Sequence, residues 1–256
     1  MEGFVHMETA VDQLKKGLTA AFIDKGVYSG ESYRPQLVLN NHKLGQKVLT
    51  SLETELNNCD EFFISVAFIT MSGIIPLLQT LQELEADGVK GKIITTDYLS
   101  FSEPAALEKL NSFRNIELKF YCAGDRGFHT KGYIFRKDEI YRIIIGSSNI
   151  TSAALTSNRE WNTKLISTDQ GEMAKEIVAE FRELWNSKYS LSFDEFYENY
   201  KEQYKIIKHQ RDIAKQEEVT SLEKYKLQPN SMQVGFITNL KKMIDAGEER
   251  ALLISA

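Results

Sequence analysis

Residues 128–162 read FHTKGYIFRKDEIYRIIIGSSNITSAALTSNREWN, two apolar segments whose ends carry polar side chains. The apolar segments predict adjacent strands at Thr130–Phe135 and Ile140–Ile145, which are joined by a polar turn at Arg136–Glu139. A third strand is predicted at Trp161–Ser167, after a polar loop. Pairing in a sheet would bring the end of the second strand alongside the start of the first.

The polar residues at these strand ends form a candidate site. Because residues i and i+2 of a strand face the same side, His129 and Lys131 are expected to project into one space. Gly146 would let the end of the second strand bend tightly and approach an anion. Ser147 and Asn149 would present short hydrogen-bonding groups toward the same space.

This combination of side chains suits attack on a phosphodiester. A neutral imidazole is a good nucleophile near pH 7 and can form a covalent phospho-enzyme. Lys131 and the Ser147 and Asn149 donors would offset negative charge on the non-bridging oxygens. Glu160 is expected to accept a hydrogen bond from the far nitrogen of His129 and so to fix its tautomer. No Asp, Glu or His cluster at ligand spacing lies nearby, and the predicted reaction therefore uses no metal.

Each residue also has an ordinary structural explanation. A single histidine near a strand end is most often structural, and Lys131 alone would be a solvated surface lysine. Gly-Ser-Ser-Asn alone is a common turn, and Glu160 alone could be a surface carboxylate paired with Arg159. The joint spacing of the residues favours a site over these separate explanations.

At these residues the chain resembles the phospholipase D superfamily, whose signature is H-x-K, an intervening strand and G-S-x-N. It is similar to the single-signature bacterial members, which include metal-independent nucleases and restriction endonucleases and have a glutamate at about the position of Glu160. The resemblance covers roughly residues 35–187 and implies an α/β/α sandwich with a mixed, partly parallel sheet. The residues that it implies as catalytic are His129, Lys131, Ser147, Asn149 and Glu160.

The chain departs from the family pattern in one position and carries one signature. The aspartate that often lies five residues after the lysine is replaced by Arg136, and Asp138 follows two residues later. The reaction needs a second histidine to protonate the leaving oxygen. His6, His42 and His209 lack the accompanying lysine and G-S-x-N. The resemblance therefore implies a two-fold homodimer through the active-site face, with both copies of His129 at one phosphate.

Upstream of the signature, apolar strands alternate with helices, a pattern typical of a largely parallel sheet covered on both faces. The predicted strands are Glu61–Thr70, Gly91–Asp97 and Ile116–Tyr121. The predicted helices are residues 8–25, Lys43–Leu56, Ser72–Ala86 with Ser72 as N-cap, and Glu103–Ser112, and Gly26–Asn41 is predicted to be irregular.

Downstream, Gly171–Asn186 is predicted to form an amphipathic helix. A stripe of aromatic residues then follows at helical spacing, and its predicted role is packing on the same domain, the alternative being a stacking platform for bases. The stripe consists of Phe193, Phe196, Tyr197, Tyr200 and Tyr204.

Composition restricts the class of protein. The net charge of −5 over 256 residues excludes a global positive field that would attract nucleic acid. A local cationic surface is expected instead. It would comprise Lys119, Arg126, Lys131, Arg136, Lys137 and Arg142.

Two distant cysteines, Cys59 and Cys122, are expected to be reduced thiols, and neither a signal peptide nor an apolar run of membrane-spanning length is evident. A soluble cytoplasmic protein without membrane contact is predicted.

The C-terminal residues resemble a different family. In residues 227–256 (LQPNSMQVGFITNLKKMIDAGEERALLISA), Pro229 and Gln233 form a P-x-x-x-Q element like the one that precedes the motor of superfamily 2 helicases. The resemblance implies that Gln233 contacts adenine and that the ALLIS strand leads into a phosphate-binding loop after Ala256. ATP and Mg²⁺ would be cofactors of that missing motor only. The predicted organisation is therefore a phospholipase D-like domain over residues 1–187, a helical extension over 188–226 and the start of a covalently linked motor over 227–256.

The sequence thus predicts a metal-independent nuclease-type domain that acts on DNA through a phosphohistidine. Two alternatives remain open at this point. One is a catalytically silent module that binds nucleic acid through the same pocket. The other is a phospholipid phosphodiesterase, for which the chain offers no amphipathic insertion helix and no second signature.

Overall fold

Eight strands form one mixed sheet in the order β1-β7-β6-β5-β2-β3-β4-β8. The strands are β1 (Gln36–Val38), β2 (Glu61–Val66), β3 (Lys90–Thr96), β4 (Ile116–Tyr121), β5 (Lys131–Lys137), β6 (Ile140–Gly146), β7 (Asn162–Thr168) and β8 (Ser190–Ser192). Strands β2, β3 and β4 are parallel to one another, and every other pairing is antiparallel. The two edge strands, β1 and β8, are three residues long each.

The computed structural model describes residues 8–122, 124, 127–221 and 231–247. The chain divides into two compact units, Met1–Ile206 and Ile207–Ala256. The first unit contains the whole sheet. The predicted assignment of residues 188–226 to an extension and of residues 227–256 to a motor remains a prediction.

The helices of the first unit follow the predicted alternation with strands. They are α1 (Ala10–Phe22), α2 (Val48–Leu56), α3 (Met71–Ile74), α4 (Leu78–Ala86), α5 (Pro104–Asn111), α6 (Ser152–Thr156), α7 (Glu172–Asn186) and the first part of α8 (Phe193–Ser221). Short 3-10 turns lie at Glu31–Tyr33, Ile75–Leu77 and Tyr98–Ser100. The strand–helix order gives helices on both faces of the sheet.

The core has one layer on each face of the sheet. On one face, apolar side chains of α2, α4, α5 and α8 pack around Phe62, Phe120 and Tyr133. On the other face, α7 contributes Phe181 and Trp185, which pack with residues of β3, β5 and β6. The predicted α/β/α sandwich with a mixed sheet and a C-terminal helical extension is confirmed.

Several predicted boundaries were wrong. The stretch predicted to be irregular contains β1, which pairs antiparallel with β7. The second helix begins at Val48 instead of Lys43, since Asn41–Gln46 forms a bridged turn. Thr70, and not Ser72, caps α3, because its side chain accepts a hydrogen bond from the backbone N–H of Gly73. Helix α6 and strand β8 were not predicted.

The aromatic stripe packs as predicted on its own domain. Phe196 stacks on Phe120 with ring centroids 4.1 Å apart, and Tyr200 stacks on Phe196 at 4.9 Å. The Tyr200 hydroxyl donates a hydrogen bond to the carbonyl oxygen of Ser102 at 2.7 Å. With Phe196, Tyr197 and Tyr200 buried, these rings are not a stacking platform for bases.

A buried cluster of charges lies at the end of the sheet near the β5–β6 turn. Glu55 accepts a hydrogen bond from Lys164 Nζ at 3.1 Å and lies 3.6 Å from Arg142 Nε. All three side chains are at most 13% exposed and line a cavity of about 560 Å³. The single carboxylate of Glu55 therefore balances part of the positive charge of Lys164 and Arg142.

The second unit contains the remainder of α8 and helix α9 (Ser231–Asp245). The predicted helix that bears Gln233 is therefore present, although the side chain of Gln233, Pro229 and the predicted strand at 251–255 lie outside the described residues. Among the helices that the structure describes, none combines the length and apolar character of a membrane span.

The cysteines agree with the prediction of reduced thiols. Cys59 and Cys122 are both free, and burial raises the pKa of each thiol to about 12. Because the thiolate is the reactive form, neither residue is suited to nucleophilic chemistry at neutral pH.

Candidate active site

The site lies where β5 begins, between β2 and β6. Lys131 is the first residue of β5 and is paired with Val66 of β2, while Gly132 is paired with Ile145 of β6. His129 lies two residues earlier, at the end of the sheet, and is exposed. Lys131 is 8% exposed and donates a hydrogen bond from Nζ to the backbone oxygen of His129 at 2.8 Å. The lysine is thus held beside the imidazole.

A second group of contacts joins the Gly-Ser-Ser-Asn turn to the strand after it. The Ser147 hydroxyl donates a short hydrogen bond to Glu160 Oε2 and accepts one from the Trp161 backbone N–H at 3.1 Å. Glu160 is 9% exposed, and its charge raises the pKa of Lys131 against the effect of burial. The carboxylate therefore interacts with both the serine and the lysine.

Glu160 was predicted to hydrogen-bond His129. In the described part of the chain, its hydrogen bond is instead with Ser147. The reason is the register of β7, because the pairing of Gly146 with Asn162 places residue 160 beside the serine. Ser147 therefore positions Glu160, because its hydroxyl proton is donated to that carboxylate.

Asn149 is oriented by a residue that sequence reasoning missed. The backbone N–H of Phe68 donates to Asn149 Oδ1 at 3.1 Å, so the Nδ2 group is the part of the amide that can donate to an anion. The ring of Phe68 also meets the ring of His129 edge-on, with centroids 6.0 Å apart. Phe68 looked like one more apolar residue of a buried strand, and no local pattern distinguished it.

These interactions form a circuit of hydrogen bonds, one charge–charge interaction and one ring contact. Lys131 is hydrogen-bonded to His129 and feels the charge of Glu160, which accepts a hydrogen bond from Ser147. Phe68 is hydrogen-bonded to Asn149 through its backbone and contacts the His129 ring with its own ring. The structure thus brings all five predicted site residues together at one end of the sheet. An imidazole, an ammonium, an amide and a carboxylate there can bind and attack a phosphate group.

The turn is built on a second missed residue, the buried Asn162. Its Oδ1 accepts from the Ser148 backbone N–H at 3.1 Å, and its Nδ2 donates to the Ser148 hydroxyl at 2.9 Å and to the carbonyl oxygen of Val38 at 3.2 Å. Gly146 is required beside it, since a Cβ there would lie 2.2 Å from the backbone oxygen of Trp161. The glycine therefore permits close approach of β7, whereas the sequence suggested approach of an anion.

The predicted cationic surface is wrong for three of its six members, Arg136, Lys137 and Arg142. Arg136 lies five residues along β5 from Lys131, about 16 Å away at ~3.3 Å per residue, and pairs with Glu61. Lys137 and Arg142 line the cavity beside Glu55 at the same far end. Lys119, on β4, donates to the backbone oxygen of Trp185 on α7, and Arg126 lies outside the described residues. Closeness in sequence misled here because an extended strand carries successive residues away from the site.

Electrostatics favours a neutral histidine. Partial burial, and after it the charge of Lys131, lower the pKa of His129 below its usual value near 6.5. Burial also lowers the pKa of Lys131, while Glu160 opposes that shift. Tyr133 is fully buried beneath the turn, where its hydroxyl donates to the Ser148 backbone oxygen at 2.8 Å, and burial raises the pKa of the phenol.

The lowered pKa of His129 leads to a prediction. The His129 pKa should lie below that of a free imidazole, and Lys131→Met should raise it, because the variant removes a nearby positive charge. Titration of the His129 ring protons by NMR would measure the pKa in both proteins. An unchanged His129 titration in Lys131→Met would show that the two side chains do not interact.

Two cavities flank the imidazole. One, of about 560 Å³, is lined by aliphatic and aromatic residues of β5, β6 and α7 and by two carboxylates, Glu176 and Glu180. The other, of about 370 Å³, is lined by Phe68, Tyr98, Leu99, Phe101, Gly127 and Phe128. His129 lines both cavities, so its ring is accessible to a ligand.

Within the ranges that the structure describes, no group of three or more His, Cys, Asp or Glu side chains is placed to hold a metal ion.

The mixed sheet, the two helical layers and the circuit around His129 define a phospholipase D-like domain. The family described as "Cardiolipin synthase, PLD-like domain" matches residues 52–185, just over half of the chain, and the chain therefore belongs to this family. The fold is one shared by phosphodiesterases and nucleases, and the site is consistent with cleavage of a phosphodiester.

Several solved structures are similar to this chain. NucT from Helicobacter pylori is 17% identical, with a TM-score of 0.50, over 62% of this chain and 99% of that one. The phospholipase D family member Nuc from Salmonella typhimurium is 17% identical, with a TM-score of 0.47, over 62% and 98%. Yeast tyrosyl-DNA phosphodiesterase is 11% identical, with a TM-score of 0.41, over 60% and 39%. A comparison with curated protein sequences gave no match.

Proposed function

We propose that this domain hydrolyses phosphodiester bonds of DNA without a metal ion, through a phosphohistidine at His129. The observation that carries the proposal is an exposed imidazole of lowered pKa, held in one circuit with Lys131, Asn149 and Glu160. DNA is favoured as substrate because the single signature resembles that of bacterial nucleases.

In the proposed reaction, an imidazole nitrogen of His129 attacks phosphorus, and the P–N bond forms as the bond to the leaving oxygen breaks. Lys131 and the Asn149 amide stabilise charge on the non-bridging oxygens. A second histidine, which enters the step as the imidazolium, donates a proton to the leaving oxygen and becomes neutral. That histidine then takes a proton from water, whose oxygen attacks phosphorus and releases His129.

The second histidine is proposed to be His129 of another copy of the same chain. One signature supplies one nucleophile, and a two-fold axis through the active-site face would place a second imidazole at the same phosphate. Ile145 and Trp161, which are 39% and 76% exposed beside the site, are apolar residues that such an interface would cover.

The proposed chemistry predicts cleavage that is insensitive to chelators. A fluorescently labelled DNA oligonucleotide should be cut at the same rate with and without EDTA, because no step uses a metal ion. Quenching in denaturant during turnover should capture phosphate on His129, which mass spectrometry of the digested protein would detect. Loss of activity in EDTA with recovery in Mg²⁺ would contradict the proposal.

The remaining parts of the interpretation are proposals as well. The P-x-x-x-Q resemblance at Pro229 and Gln233 supports covalent attachment to a helicase motor, for which ATP and Mg²⁺ would serve. Such a motor would supply affinity for DNA, because three of the predicted cationic residues, Arg136, Lys137 and Arg142, lie away from the site. The proposed location is the cytoplasm, with reduced cysteines as its support.

Hydrolysis of a phospholipid is a second candidate, and the aliphatic cavity favours it. Ile134, Ile145, Ile177 and Leu184 line this cavity beside Lys131, as a groove for an acyl chain would require. Vesicles of phosphatidylcholine or cardiolipin, offered in parallel with DNA, would separate the two. Release of lipid headgroup without DNA cleavage would establish the lipid reaction. Binding of DNA without cleavage, unchanged in His129→Ala, would instead indicate a silent binding module.

A further inference from the structure

The aromatic cavity beside His129 has no part in the chemistry described so far. Phe68 lies between two rings, 5.0 Å from Phe101 and 6.0 Å from His129 by ring centroids, and meets both at 73°. Tyr98 and Phe101 form its outer wall and are 42% and 43% exposed. Apart from His129, none of the lining residues that the structure describes carries an ionisable group that is charged at neutral pH.

The outer wall is held in an uncommon backbone conformation. Leu99 and Ser100 have φ values of +55° and +45°, a region that residues other than glycine rarely adopt. The turn is tied down on both sides, because Tyr98 N–H donates to Thr96 Oγ1 at 3.2 Å and Ser100 N–H to the Asp97 oxygen at 2.9 Å. Strain of this kind is kept where a structure fixes a side chain for a task.

We infer that this cavity binds the base of the nucleotide whose phosphate is attacked, and that the substrate is therefore single-stranded or locally unpaired DNA. The inference rests on the proposed function and specifies its substrate. A base is tethered to its phosphate through one sugar, so a phosphate at His129 places a base within reach of a cavity that shares His129 as a wall. The volume of about 370 Å³ fits a group of that size.

Charge favours the aromatic cavity over the aliphatic cavity as the site for the base. The aliphatic cavity carries Glu176 and Glu180, which repel the phosphates that precede or follow the scissile one. The described lining of the aromatic cavity offers ring faces and no carboxylate. Base–aromatic stacking tolerates any sequence, because every base has a π face.

Strand preference follows from geometry. A base within a duplex is stacked and paired, and it must leave the helix before an aromatic wall can contact it. In single-stranded DNA that cost is nearly absent. Paired DNA should therefore be cut more slowly than the same strand alone.

The test compares three substrates of equal length: a labelled oligothymidylate long enough to form a stable duplex, the same strand paired within that duplex, and a strand of abasic tetrahydrofuran phosphodiesters. Stacking should favour the base-bearing single strand over the abasic strand by about tenfold. This ratio should fall to about one to two in Phe101→Ala and in Tyr98→Ala. It should be unchanged in Phe22→Ala, an exposed aromatic residue at the end of α1 that lines neither cavity.

Binding gives a readout that needs no turnover. A single-stranded oligonucleotide with a central 2-aminopurine should lose fluorescence on binding to His129→Asn, and the loss should disappear when Tyr98→Ala and Phe101→Ala are added. Circular dichroism would verify that the variants fold.

The outcomes separate the two proposals. Equal cleavage of base-bearing and abasic strands overturns the base site and leaves the phosphodiesterase intact. Absence of cleavage on every substrate overturns the proposed function, whereas 2-aminopurine quenching still decides the base site. If Tyr98→Ala lowers the sedimentation coefficient but not the cleavage ratio, the aromatic wall contacts a second copy of the chain, and the base site is wrong.

Discussion

His129→Asn should reduce DNA cleavage by a factor of about 10³ or more, since loss of an attacking group commonly removes the whole contribution of its site. Asparagine keeps a polar side chain of similar shape but cannot form the phospho-enzyme. His129 is exposed, and the folded state should therefore keep its stability. Initial rates on the labelled oligonucleotide, beside thermal unfolding, would measure both.

His42 is a matched control, as an exposed histidine in the turn before α2. His42→Asn should cut DNA at the unsubstituted rate. The dimer proposal adds a sharper test. If both histidines of a dimer act on one phosphate, an equal mixture of unsubstituted chain and His129→Asn should keep about one quarter of the activity after exchange, and about one half if each chain acts alone. One half would contradict the shared site.

Glu55→Ala should have the largest effect on stability, lowering the free energy of unfolding by about 3–5 kcal/mol. The variant leaves Lys164 and Arg142 buried at one end of the sheet without the carboxylate between them. A loss of this size would lower the unfolding temperature on the order of 10 °C. Urea titration followed by circular dichroism would give the free energy.

Glu53, a partly exposed carboxylate on the same helix, provides the control. Glu53→Ala should change stability by less than about 1 kcal/mol. Glu55→Gln keeps the shape of the side chain and removes its charge. If Glu55→Gln is as stable as the unsubstituted chain, the carboxylate charge does not stabilise the fold, and water from the adjacent cavity solvates the two cations.

The signature residues could be predicted from sequence because strand periodicity is local. His129 and Lys131 lie two residues apart at the start of β5, and the apolar run of β6 leads directly to Ser147 and Asn149. The sandwich followed from the same periodicity in β2, β3 and β4. In each case a few neighbouring residues determined the outcome.

The missed features depend on residues that are distant in sequence. Phe68 orients Asn149 across 81 residues, and Asn162 reaches Val38 across 124. The partner of Glu160 depended on the register of β7 against β6. A pattern of residue types carries no information on register or on which backbone group meets a side chain. Such contacts required coordinates.

Both edges of the sheet are closed by segments outside the part of the chain that matches the family. Strand β1 covers β7 and β8 covers β4, and both lie beyond residues 52–185. If the chain were shortened to the matching range, two six- to seven-residue strands would present unpaired backbone groups, which invite association between molecules. The Asn162 amide beneath the turn would also lose its partner Val38. The flanking segments thus cover both edges of the sheet and support the Gly-Ser-Ser-Asn turn. A chain that keeps both features must therefore be longer than the range that matches the family.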